Sequence, residues 1–236
     1  APIGGTGHVC LGATATLTDA LSGGTRSSSA LAVATIGSTG IVSGLTLGTS
    51  VISYTFTLGS CAAIKVITVD PLPNVYGVTG GGSYCAGGSG VHIGLTNSNI
   101  GTNYTYYNGS AAGDTIPGTG SALDFGLLTA AGTYTVRATG AASGCQSNMT
   151  DSAVIVITPL DSPTVIISTG LGDSVCEGTI TTFTPVPYYG GLTPSYVWRV
   201  NGIMVSTSPT YSFIPMDGDV VSATMTSSAA CPSPDT

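Results

Sequence analysis

Six cysteines and two histidines are the side chains of this 236-residue sequence with the widest choice of chemistry. A cysteine can act as a nucleophile, a metal ligand or half of a disulfide. Zinc is disfavoured because the chain has no C-x-x-C pair, and His8 and His92 are its only imidazole ligands. Structural disulfides are the favoured interpretation, and they predict an oxidising compartment, so a secreted protein that is extracellular or at the cell surface.

The cysteines belong to a threefold repeat. Three similar phrases each contain the first cysteine of a pair: "HVCLGATATLT" at 8–18, "SYCAGGSGVHIGLT" at 83–96 and "SVCEGTITTFT" at 174–184. A short strand-like run followed by proline comes after the first and second pairs. We therefore predict three tandem modules, called modules 1, 2 and 3 below, at residues 1–71, 72–159 and 160–236. Short linkers that contain proline favour a semi-rigid rod.

The repeat also suggests how the cysteines pair. Six cysteines allow about 15 connectivities. One bond inside each module is the natural choice among them, which predicts the pairs Cys10–Cys61, Cys85–Cys145 and Cys176–Cys231.

The composition indicates an all-β protein and excludes several classes of partner. Only 6% of the residues are charged and 42% are hydrophobic, with 35 glycines to supply turns. Valine, isoleucine, threonine and tyrosine suit pleated, half-buried strands. The net charge of −7 argues against binding to nucleic acid, and no apolar run is long enough to insert in a membrane as a helix.

We expect no catalytic, cofactor or metal site. The two histidines are not repeated between modules, since Ser174 stands at the place of His8. Serine is too common here for a catalytic triad to be identified. The segment Asp217-Gly218-Asp219 could offer oxygens to Ca²⁺, but it lacks the usual loop pattern, so a solvated turn is favoured.

Module 1 carries a family resemblance in "GGTRSSSALAVATIGSTGIVSGLTLGTSVISYTFT". This phrase resembles the bacterial Ig-like (group 2) repeats of large surface proteins, with Arg26 at a position where that family usually has tryptophan. Modules 2 and 3 resemble tandem Ig-like repeats of very long secreted proteins of the Bacteroidota. The resemblance implies three Ig-like Greek-key β-sandwiches, with Trp198 on a central strand of the third near its disulfide.

Module 3 differs from the others at its end. The runs "AIKVITV" and "SAVIVIT" follow the second cysteine of modules 1 and 2, whereas we expect module 3 to lack this last strand. Truncation of a longer chain is one explanation, and the start at Ala1 without methionine also suggests a processed or excised segment. The other explanation is that a neighbouring copy supplies the strand, which would build a head-to-tail polymer.

Two further sets of residues are candidate surface sites. Tyrosines in strands can point outward and serve interfaces, although packing inside a module is the favoured role for any single one; the interface candidates are Tyr104, Tyr106, Tyr188 and Tyr189. The resemblance to Bacteroidota proteins implies O-glycosylation at D-[ST]-[AILVMT], which matches Thr115, Ser152 and Ser174. Glycans are thus a predicted modification.

These observations predict a non-enzymatic extracellular structural protein. The first hypothesis is a subunit of a filament or surface assembly whose partners are copies of itself. The alternatives are a stalk segment of a long cell-surface adhesin, or an accessory module that binds carbohydrate or protein.

Overall fold

The computed structural model describes residues 2–19, 22–56, 62–170, 175 and 178–233. All regular structure in these ranges is β-strand, and the chain divides into two compact units. Unit 1 comprises Ala1–Gly82 and Ser89–Ile155, and unit 2 comprises Ser83–Gly88 and Val156–Thr236. The prediction of an all-β, Ig-like fold is confirmed.

The stretch predicted as module 1 forms two sheets within unit 1. Their strand orders are β1-β7-β6-β3 and β2-β5-β4. The strands are β1 (His8–Cys10), β2 (Thr14–Thr16), β3 (Thr25–Ser28), β4 (Ala34–Ile36), β5 (Ile41–Gly44), β6 (Gly48–Thr55) and β7 (Ala62–Asp70).

The stretch predicted as module 2 also forms two sheets. One has the order β13-β10-β8, and the other has the order β12-β11-β14-β16-β9 with β15 also paired to β14. The strands are β8 (Val78–Gly80), β9 (Gly82–Cys85), β10 (Val91–Leu95), β11 (Thr102–Asn108), β12 (Ala111–Pro117), β13 (Leu123–Leu128), β14 (Gly132–Gly140), β15 (Gln146–Asn148) and β16 (Ala153–Thr158).

The stretch predicted as module 3 lies in unit 2 and has two three-stranded sheets, β17-β18-β21 and β20-β19-β22. Trp198 is on β19, the central strand of its sheet, as the resemblance implied, and its side chain is fully buried. The strands are β17 (Thr164–Ser168), β18 (Thr181–Tyr188), β19 (Ser195–Val200), β20 (Ile203–Ser206), β21 (Tyr211–Phe213) and β22 (Val221–Thr226).

Alternation of side chains explains why β7 lies where it does. Ile67 and Val69 are 0% and 2% exposed and belong to the core, whereas Ile64 and Val66 face solvent at 66% and 54%. Successive side chains of a strand point to opposite faces, so one face of β7 joins the core. The neighbouring strand β6 buries Ile52 and Tyr54 in the same cluster.

Turn chemistry fixes the hairpin between β19 and β20. Val200 pairs with Ile203, so the loop contains only Asn201 and Gly202. Both have positive φ, 52° and 80°, as a two-residue type I′ turn requires. Asparagine and glycine are the residues that adopt this conformation at least cost, so this dipeptide determines the register of the hairpin.

Arg26 is accommodated by an aromatic ring and an acid. Its guanidinium carbon lies 4.9 Å from the centre of the Tyr54 ring, and its Nη2 donates to the carboxylate of Asp19. The planar cation covers the face of the ring, and the ion pair neutralises its charge. These two contacts hold the guanidinium of Arg26 in place, whereas its Nε is buried without a hydrogen-bond partner.

Candidate functional site

The first notable site is a disulfide between Cys10 of module 1 and Cys145 of module 2. The Cα atoms are 5.6 Å apart, and both residues lie in unit 1. Cys10 ends β1, which runs parallel to β7, and it is paired with Asp70, the last residue of β7. The first cysteine of module 1 therefore lies beside the linker that leads into module 2.

The loop after β14 presents Cys145 at the same junction. The amide of Gly140 donates to the carbonyl of Cys145 over 2.8 Å, and that of Ala141 donates to the carbonyl of Gly101. Cys145 is 1% exposed. A cleft of about 330 Å³ beside it is lined by the linker Asp70–Asn74 and by residues 99, 101, 102 and 140–143.

The second disulfide joins Cys85 to Cys231 within unit 2, with Cα atoms 5.5 Å apart. Cys85 ends β9, and the amide of the next residue, Ala86, donates to the carbonyl of Thr158 at the end of β16. The amide of Asp161 donates to the carbonyl of Cys231 over 2.9 Å. The bond thus lies beside the segment that follows β16, the linker predicted between modules 2 and 3.

The predicted pairs Cys10–Cys61, Cys85–Cys145 and Cys176–Cys231 are wrong, because at least one member of each is bonded elsewhere. Cys61 and Cys176 themselves lie outside the described residues. Cys10 pairs with the last residue of β7, whereas Ala62, which follows Cys61, is the first. Nine residues of strand rise by roughly 3.3 Å each, so the two ends of β7 are too far apart for one bond.

A common rule describes both bonds: the first cysteine of one predicted module is bonded to the second cysteine of the next. Spacing along the sequence could not distinguish this rule from bonds inside each module, because both use the same repeated positions. The missing information is the parallel pairing of β1 with β7, which brings the first cysteine to the end of the module nearest its successor.

The second notable site is the edge of β22 in unit 2. β22 pairs along its whole length with β19, and no strand among the described residues covers its other edge. In modules 1 and 2 the corresponding inner strands, β6 and β14, are covered by β7 and β16. Unpaired backbone N–H and C=O groups on such an edge can pair with another extended chain.

A cleft of about 1010 Å³ lies at the start of β22, with Val221 in its lining. The end of β17, the loop that precedes β22, and two core residues, Phe183 and Val221, line it. In modules 1 and 2, side chains of the covering strand are buried in the core, notably Ile67 and Ile155. The core of module 3 is correspondingly small, with Phe183, Tyr196, Trp198 and Met225 as its buried members.

The four tyrosines predicted as interface candidates differ in how far their side chains are exposed. Tyr104 is fully buried, and its hydroxyl accepts from the amide of Asn99. Burial raises the pKa of this hydroxyl, partly offset by the bond from Asn99. The prediction that Tyr104 serves an interface is therefore wrong, since the inward face of β11 carries it into the core.

Tyr106 is only half-buried, but its ring packs against Phe125 and Tyr134, with centroids 5.4 and 5.8 Å away. Tyr188 and Tyr189 are 51% and 64% exposed at the end of β18. These last two remain candidates for contact with a partner.

The loop at Tyr189 is held by hydrogen bonds. Tyr189 has a φ of 54°, and its carbonyl accepts from the hydroxyl of Ser227 over 2.8 Å. The amide of Ser228 donates to the carbonyl of Gly190 over 2.9 Å. Leu192 nearby is 99% exposed. The loop therefore presents two aromatic rings and one aliphatic side chain from an ordered backbone.

Both histidines form pairs with aspartates at the surface. His8 Nδ1 lies 2.8 Å from Asp70 Oδ2, and His92 Nδ1 lies 2.8 Å from Asp124 Oδ2. Among the described residues no group of three or more acidic, histidine or cysteine side chains is placed to hold a metal ion. The pairs connect neighbouring strands: β1 with β7, and β10 with β13.

Asp124 provides a test of one of these pairs. The side chain of His92 and the amide of Gly126 both bond its carboxylate and lower its pKa. Its stabilising effect is therefore present above its ordinary pKa and is lost as the pH falls through the lowered value. We expect Asp124→Asn to destabilise by about 0.2–1 kcal/mol at neutral pH, because the pair is exposed. The difference from wild type should vanish near pH 2 in urea unfolding series.

The matched control is Asp114→Asn on β12, where the carboxylate is also exposed. Its effect at neutral pH should be smaller. A difference for Asp124→Asn that persists unchanged at acid pH would contradict the role given to the pair.

Two of the three predicted glycosylation residues are accessible. Thr115 on β12 is exposed, and its hydroxyl lies 2.7 Å from that of Thr105. Ser152 is exposed directly before β16. Ser174 lies outside the described residues. Modification at these positions stays a prediction.

Comparison with known protein families gives a match for one segment of the chain. Residues 73–159 match the family model described as "Ig-like domain CHU_C associated", which supports a bacterial Ig-like domain over this stretch. A search of curated proteins found no match. In the part of the chain that the structure describes, no helix is suited to crossing a lipid bilayer.

The solved structures that match this chain are distant from it. The fibronectin(III)-like modules of CbhA from Clostridium thermocellum are 16% identical, with 65% of this chain and 87% of that chain covered and a TM-score of 0.30. The human OSCAR ligand-binding domain is 17% identical over 65% and 97% of the two chains, with a TM-score of 0.32. A three-Ig titin structure is 8% identical over 92% and 93%, with a TM-score of 0.34.

Proposed function

We propose that this Ig-like protein is a non-enzymatic extracellular structural protein, the subunit of a filament or surface assembly built by head-to-tail packing of its modules. The observation that carries the proposal is the disulfide between Cys10 and Cys145. A bond from one predicted module to the next resists separation of the modules, whereas a bond inside a module does not. Disulfides also suit an oxidising, extracellular environment.

The open edge of β22 and the low charge of the chain also support the proposal. A strand from a neighbouring copy would pair with β22 and extend its sheet, which joins subunits through backbone hydrogen bonds. Such contacts between unlike surfaces produce open filaments. With only 6% of its residues charged, the chain can pack densely with little repulsion between like charges.

The size of native, non-reduced material tests this function. We expect light scattering to give multiples of the 23.2 kDa chain. Electron microscopy should reveal regular filaments. A chain that stays monomeric at every concentration would overturn the proposal.

One observation favours the alternative of a binding module or adhesin stalk. Tyr188, Tyr189 and Leu192 form an exposed apolar group on an ordered loop, which suits contact with a protein or carbohydrate. In that case microscopy should give single, unbranched particles. The double variant Tyr188→Ser and Tyr189→Ser should then abolish binding to the protein or carbohydrate partner and leave the particle size unchanged.

A further inference from the structure

The two disulfides enclose overlapping stretches of the chain. One joins Cys10 to Cys145 and the other joins Cys85 to Cys231, with sequence separations of 135 and 146. Because Cys85 precedes Cys145, each bond closes a loop that contains one cysteine of the other. Bonds inside separate modules would enclose separate stretches and leave the linkers outside every loop.

Each predicted linker lies inside one of these loops. The first bond spans Asp70–Asn74, and the second spans Pro159–Pro163. Both segments lie outside the strands, and each exposes a leucine: Leu72 is 47% exposed and Leu160 is 48% exposed. Exposed segments outside regular structure are where proteases cut a folded chain most readily.

Three covalent routes connect Cys10 with Cys231. One follows the chain to Cys85 and crosses the second bond, and another crosses the first bond to Cys145 and follows the chain forward. The third crosses both bonds and uses only the stretch between Cys85 and Cys145. A cut in either linker removes one route, and cuts in both linkers leave the third route intact.

We infer that the two disulfides form a covalent bypass of both linkers, which keeps the stretches before Cys10 and after Cys231 joined when a protease cuts either linker or both. The inference concerns a single chain and does not depend on the assembly of copies. It gives the bonds a function beyond stability, because the cut chain still transmits tension from Cys10 to Cys231.

Engineered cleavage sites test the inference on the full chain. The recognition sequence of a specific protease is inserted after Leu72, after Leu160 or at both places. Each protein also carries Cys61→Ser and Cys176→Ser, so that only the four paired cysteines remain. Cleavage is continued until reducing electrophoresis shows only fragments. We expect non-reducing, denaturing electrophoresis to show one species at the mass of the whole chain in all three cases.

Removal of one bond at a time gives matched controls. The variant without the first bond, Cys10→Ser with Cys145→Ala, should fall apart after the first cut and stay joined after the second. The variant without the second bond, Cys85→Ser with Cys231→Ala, should give the reverse. Denaturing conditions make the result independent of the stability of each variant. Fragments that separate before reduction in the protein with both bonds would overturn the inference, as would identical results for the two variants.

The same routes limit how far the chain extends under force. The shortest route contains about 60 residues, which reach at most roughly 210 Å, whereas the reduced chain from Cys10 to Cys231 reaches roughly 770 Å. We expect single-molecule pulling from the two ends to give a fully extended length that is roughly threefold greater after reduction. An increase of less than about twofold would refute the interlocked bypass.

Discussion

Removal of the disulfide between modules 1 and 2 is expected to destabilise unit 1 by about 2–5 kcal/mol. The change is Cys10→Ser together with Cys145→Ala, which leaves no single thiol and places no hydroxyl at the buried position. The bond closes a loop with a sequence separation of 135 residues, so the unfolded chain gains considerable freedom when it is lost. The measurement is urea unfolding of non-reduced protein, followed by circular dichroism.

Ser143→Ala is the control beside the bond. The hydroxyl of Ser143 accepts from the amide of Cys145 over 3.2 Å, and its loss should cost no more than about 1.5 kcal/mol. Peptide mapping without reduction should recover Cys10 linked to Cys145 and Cys85 linked to Cys231. An unchanged unfolding midpoint in the double variant would show that the bond does not stabilise the fold.

Trp198→Ala is expected to destabilise unit 2 by about 3–5 kcal/mol. The side chain is 0% exposed in a small core, and its Nε1 donates to the carbonyl of Ser208 over 2.9 Å. The loss of its volume leaves a cavity between β19 and the rings of Phe183 and Tyr211. Far-ultraviolet circular dichroism in urea measures the change, because the variant has no tryptophan fluorescence.

Two variants make the result interpretable. Trp198→Phe keeps most of the packing and loses the bond to Ser208, so it should cost much less than the alanine variant. Ile203→Ala on the adjacent strand β20 removes a side chain that is 70% exposed, and it should change stability by under about 0.5 kcal/mol. Equal losses for Trp198→Ala and Ile203→Ala would contradict the assigned core.

Local patterns in the sequence were sufficient for much of the fold. The run "AIKVITV" alternates between core and solvent, and it forms part of β7 as its residues predict. The Asn201-Gly202 dipeptide favours a two-residue turn in any hairpin, because both residue types adopt positive φ at low cost. These features depend on neighbours within a few residues, so the sequence displays them directly.

The candidate sites depended on contacts that the sequence does not display. The alternation of tyrosines in β11 was visible in the sequence. Which face of β11 is buried, and so whether Tyr104 points inward, depended on the sheet that packs against it. The cleft in unit 2 became evident only when β17, Phe183 and the loop Pro215–Asp219 were brought together.

The sequence by itself determined the all-β class and the Ig-like character of the fold, because composition and alternation act locally. The tertiary structure decided which cysteines bond. Parallel pairing of β1 with β7 brings Cys10 to Asp70 at the module junction, where Cys145 is within bonding distance. A disulfide requires Cα atoms within roughly 7 Å, and only the folded chain establishes that proximity.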